Sequence, residues 1–132
     1  MEAHLNIIGI LLIVLALVHG IFPKYFNWAE ELKRLSLVNH QVMEIHTFFI
    51  ALMVFLMGVL CLTSADELVT TSLGKKISFG MGIFWTFRLV VQFFGYSSKL
   101  WKGKRFETSV HVAFSALWTY MSLIFVSIFW IN

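Results

Sequence analysis

Four apolar runs, each near the length that crosses a bilayer, leave this chain few ways to fold. They extend from about Leu5 to Phe22, Val42 to Leu62, Ile77 to Phe94 and Val110 to Ile131. A spanning helix takes about 20 residues at about 1.5 Å rise each, so the first and third runs are near the minimum. Only 13% of the 132 residues are charged. A water-soluble domain carries roughly 25%, and the deficit is too large for a surface that faces water on all sides. The expected fold is all-α: an integral membrane four-helix bundle, up-down-up-down, in a single domain over residues 1–132.

The connections give the expected orientation. Lys24, Lys33 and Arg34 lie in the first, and Lys99, Lys102, Lys104 and Arg105 in the third. The second holds only Lys75 and Lys76, beside Asp66 and Glu67. This seven-to-two bias places connections one and three in the cytoplasm and both termini outside it. The expected location is thus a membrane crossed several times, with the lipid bilayer as a partner. The net charge of +3 resides in these connections, where headgroup contacts explain it, and no nucleic-acid function is read from it. The first run lacks a basic leader and a small-x-small site, so it is not expected to be a cleaved signal.

Within the first connection, Asn27-Trp28-Ala29-Glu30 has the spacing of a capping box, and Trp28, Leu32 and Leu35 fall on one helical face. A short interfacial amphipathic helix is expected there, with a plain surface connector as the other reading. Pro23 is expected to mark the exit of the first span. Cys61 is the lone cysteine, which removes disulfides, CxxC redox pairs and covalent haem attachment. The methionines, including Met43, Met53, Met57, Met81 and Met121, read as core filler.

Ionisable side chains within spans are costly, and each is a candidate for function. His19, Glu44, His46, Arg88, Gln92 and His111 all fall within about 9 Å of the expected cytoplasmic ends. They form a His/Arg/Glu layer at one level. Arg88 and Gln92 share a face, as do His40 and Glu44, while Glu44 and His46 point apart. His111, Ser115 and Ser122 make a stripe expected to face protein, and His4 lies outside the layer. Residues 45–52 and 110–117 both read H-x-x-F-x-A-L after a β-branched residue, which suggests a duplicated helix pair or a chance match.

Three functions fit the layer. In the first, His46 and His111 supply both axial nitrogens to a haem b, with Gln92 beside it and Arg88, joined by Lys104 or Arg105, neutralising the propionates. Electron transfer or cofactor handling would follow. In the second, His19, His46, His111 and Glu44 hold Zn, Fe or Cu, although no HExxH gives the spacing of a known site. In the third there is no cofactor, and the chain is a structural or assembly subunit, as a homo-oligomer or in a larger membrane complex. Ser78, Gly80 and Gly82 would then permit close helix contact, and Arg88 would pair with Glu44. Whether the protein is an enzyme stays open at this stage.

Residues 37–44 do not carry the Arg- and Asn/Glu-rich motif of the small membrane-bound glutathione transferases. Asn39 through Gly58 and Leu100 through Val110 resemble an uncharacterised group of small bacterial four-helix membrane proteins. The resemblance covers most of the chain and implies the four-helix fold without an activity.

Overall fold

A computed structural model describes residues 1–95 and 103–130, and the described residues are helical with no strand. The helices are α1 (Glu2–His19), α2 (Phe22–Tyr25), α3 (Trp28–Glu31), α4 (Leu37–Thr63), α5 (Ala65–Thr70), α6 (Ser72–Phe94) and α7 (Arg105–Trp130). A 3-10 turn, Leu32–Arg34, follows α3. Helices α1, α4, α6 and α7 are each long and apolar enough to cross a membrane. Lys99, Leu100, Lys102 and Ile131, which entered the reading of the sequence, lie outside the described residues.

Helices α4 and α6 start earlier than hydropathy alone suggests, because polar caps set their N-termini. Helix α4 begins at Leu37 rather than Val42, where the Ser36 hydroxyl accepts from the Asn39 amide at 3.3 Å. Helix α6 begins at Ser72 rather than Ile77, with the Thr71 hydroxyl accepting from the Gly74 amide at 2.9 Å. Several hydroxyls further along bond back to their own helix, among them Thr86 to the Gly82 carbonyl at 2.7 Å and Thr119 to the Ser115 carbonyl at 2.8 Å. This satisfies a polar group without a partner from another helix.

The chain divides into two compact units, residues 3–65 and residues 66 onward with Met1 and Glu2. In the first, Leu5, Ile8, Gly9, Leu12, Leu15 and Ala16 make the buried stripe of α1, at the three- and four-residue spacing of one helical face. Gly9 and Gly58 bring the backbones of α1 and α4 together. A Cβ on Gly9 would come within 2.9 Å of the Gly58 carbonyl oxygen, and one on Gly58 within 2.8 Å of the Gly9 oxygen. Only glycine fits at both places.

In the second unit α6 packs along α7. Gly82 is the close point, since a Cβ there would meet Val126 Cγ2 at 2.7 Å. Gly80, also expected at a contact, faces open space. Ser78 is fully buried and donates to the Leu68 carbonyl at 3.5 Å. Met81 and Met121 are core residues as expected, whereas Met43 and Met53 are exposed.

Two local expectations in the first connection are corrected. Asn27 adopts left-handed φ 54° and ψ 48°, and its side chain makes no capping bond. A capping side chain needs an extended Ncap backbone to reach the N2 or N3 amide, and the left-handed turn removes that reach. The helix Trp28–Glu31 still forms, and Trp28 and Leu32 are buried while Leu35 is exposed. Pro23 does not close the first helix. Helix α1 ends at His19, and Pro23 sits in the first turn of α2, where a missing amide hydrogen costs nothing.

Candidate functional site

The expected layer resolves into two sites of different chemistry, one in each unit. In the α6–α7 unit the centre is Gln92, buried on α6. Its Oε1 accepts from Trp118 Nε1 at 3.3 Å and from Arg88 Nη1 at 3.3 Å. Both partners are donors only, so they fix which end of the amide faces them. The NH2 end then faces His111 and donates to its Nδ1 at 2.8 Å. His111 Nδ1 therefore accepts, and a neutral ring carries its hydrogen on Nε2.

Aromatic rings close this cluster. The Arg88 guanidinium lies 5.0 Å from the Trp118 ring centre, within cation–π range. Trp118 stacks with Trp85 at 5.0 Å and with Phe114 at 5.4 Å, and Phe93 meets His111 edge-on at 5.6 Å. Ser115 donates to the His111 carbonyl at 2.7 Å. Ser122 is buried as the stripe predicted, but its hydroxyl and the indole N–H of Trp85 have no hydrogen-bond partner among the described residues. The arrangement ties two helices at a fixed register.

In the unit of residues 3–65 the histidines behave differently. His19 donates from Nδ1 to the Leu15 carbonyl at 2.8 Å, and His46 from Nδ1 to the Val42 carbonyl at 2.8 Å. Each bond runs back one turn of its own helix. A neutral ring held this way carries a lone pair on Nε2, the form that ligates a metal or accepts a proton. Glu44 Oε1 accepts from His40 Nε2 at 2.8 Å, the i,i+4 pairing the sequence suggests. The early start of α4, at Leu37 after the Ser36 cap, makes that pairing helical.

A cavity of about 390 Å³ opens within this unit, its walls including His19 and Ala16 from α1, Trp28 from α3, and Glu44, Phe48 and Ala51 from α4. His46 is not part of these walls, as expected from its two-residue offset from Glu44. Among the described residues no group of three or more His, Cys, Asp or Glu side chains is gathered to hold a metal ion.

Sequence reasoning named Arg88, Gln92 and His111 but missed Trp118 as the residue that fixes the amide. The signal was available, since His111, Ser115, Trp118 and Ser122 follow each other at four-, three- and four-residue steps on one face. It also passed over Gly9 and Gly58, whose pairing depends on which helices meet. Compared with models of known protein families, with curated proteins and with solved structures, the chain matches none.

Proposed function

We propose that this chain is a multi-pass protein of a bacterial inner membrane, a four-helix bundle with connections one and three in the cytoplasm and both termini outside. The apolar character of α4 supports insertion: it has the highest hydropathy of the four long helices, yet only 17% of its most apolar window is buried within the protein. Phe48, Phe49 and Met53 on that helix are exposed, a surface that suits lipid rather than water.

Its function in this reading is structural: a subunit without a cofactor that assembles with itself or in a larger membrane complex. The observation that carries this is the Gln92 cluster, in which Arg88, His111 and Trp118 all engage one amide. A buried polar network of this kind specifies helix register, because any slip would strand several donors at once. Native electrophoresis of the full chain in mild detergent tests the reading. For self-assembly an oligomer is expected, falling apart in Gln92→Leu; a monodisperse monomer would sink self-assembly and leave only the subunit of a larger complex.

The second reading is haem or metal binding in the same layer, and the His19 and His46 tautomers favour it. His111 enters less readily. An axial His normally donates Nδ1–H to an oxygen, whereas Gln92 offers it a hydrogen. Absorption spectra of the purified protein, oxidised and then dithionite-reduced, test for haem. A Soret band with a sharpened reduced α band, lost in His46→Ala, would establish haem; aromatic absorbance alone, after expression with ample haem, leaves a colourless metal or the structural reading, and elemental analysis of the same sample separates those two.

A further inference from the structure

The cavity between α1, α3 and α4 has a composition that selects by charge. Glu44 places a carboxylate on its wall, with one oxygen engaged by His40 Nε2 at 2.8 Å. His19 reaches the same space with its Nδ1 committed to the Leu15 carbonyl, so what remains on the ring is the Nε2 lone pair. Thr47, also on the wall, spends its hydroxyl hydrogen on the Met43 carbonyl at 2.8 Å. These three polar side chains therefore offer acceptors, and no Lys or Arg stands among the described residues of the walls. The rest is apolar, with aromatic surface from Trp28 and Phe48 and small side chains at Ala16 and Ala51 that leave the space open.

We infer that this cavity is a binding site for a lipophilic organic cation, an apolar body carrying one positive charge. The volume of about 390 Å³ lies in the range of small-molecule sites, which are mostly apolar with few oriented polar groups. Aromatic rings attract a cation through their π faces, and a carboxylate at the same site favours the same sign. An anionic amphiphile meets the Glu44 carboxylate, whose partner is the His40 ring, and finds no Lys or Arg on the described walls, while a neutral one of the same shape forgoes the attraction. Glu44, at the solvent-accessible part of the wall, meets the charged head while the body occupies the apolar interior. This inference stands apart from the structural role of the Gln92 cluster, which lies in the other unit.

Two ions of nearly the same size and shape but opposite charge test it: tetraphenylphosphonium and tetraphenylborate. Each is measured by equilibrium dialysis against the full chain in lipid nanodiscs, with empty nanodiscs subtracted for partitioning. Saturable binding of one tetraphenylphosphonium per chain is expected, with no saturable binding of tetraphenylborate. Because this comparison uses the unaltered protein, it decides the matter whether or not any variant folds. Glu44→Gln should weaken the phosphonium at least tenfold. Ala51→Leu, which keeps every polar group and fills the interior, should do the same. Saturable binding of both ions alike, absence of saturable phosphonium binding, or full affinity in either variant would overturn the inference.

Discussion

His46 and His111 occupy the same place in two similar stretches of sequence, and their surroundings share almost nothing. His46 is exposed on α4 and bonds only to its own helix, through the Val42 carbonyl. His111 accepts from Gln92 across α6 and α7, next to an aromatic stack. The Phe three residues on differs in the same way: Phe49 is 58% exposed, whereas Phe114 stacks on Trp118. Glycine approach through Gly9 and Gly58 draws α1 and α4 together, leaving their polar side chains at a cavity or on the surface. In α6 and α7 hydrogen bonding and stacked rings add to the close approach at Gly82. A repeated phrase of sequence thus says little about role when the facing helix is different.

The largest effect should come from breaking the glycine crossing. Gly58→Leu forces several carbons into the Gly9 backbone and should cost about 3 kcal/mol or prevent folding. A drop in the thermal midpoint in detergent would report it, and an unchanged midpoint would mean that α1 and α4 do not meet there. Gln92→Leu should cost about 2 kcal/mol, since it strands the Trp118 N–H and removes an acceptor from Arg88. Near-UV circular dichroism should change with it, because the stacked Trp85–Trp118 pair would lose its anchor; a wild-type spectrum would refute the amide's role.

Replacing each histidine by alanine sharpens the contrast directly. His111→Ala should destabilise by about 1 kcal/mol through the unpaired Gln92 amide, and His46→Ala by less than about 0.5 kcal/mol. Equal losses in chemical denaturation would erase the distinction drawn between the two halves. The smallest change is expected for Ser36→Ala, about 0.5 kcal/mol, from loss of the cap at α4. Hydrogen exchange of the amides at 37–40 should speed up without change in the middle of the helix, and unchanged exchange would show the cap to be idle.

Much of this was legible in the residues. Apolar runs of spanning length gave all four long helices, because backbone groups in an apolar setting must bond within their own segment. The i,i+4 pairs Arg88–Gln92 and His40–Glu44 followed from helical geometry alone. Asn27 shows where local pattern fails: its capping spacing was right, but the tight turn after α2 placed it in a left-handed conformation that Asn tolerates. Helix starts were misplaced for a related reason, since Ser36 and Thr71 cap beyond the limits of the apolar runs.

What the sequence determined by itself was periodic and local: helical class, the long segments, and which polar side chains share a face. Only the tertiary structure decided that His111 accepts from Gln92, that Gly82 is pressed against Val126 while Gly80 is open, and that His19 and Glu44 border one cavity. The physical reason is one of range. Helical pattern, including the His19 and His46 bonds to their own helices, is set by neighbours three and four residues away, whereas the His111 tautomer, close approach and cavity volume depend on atoms brought from another helix.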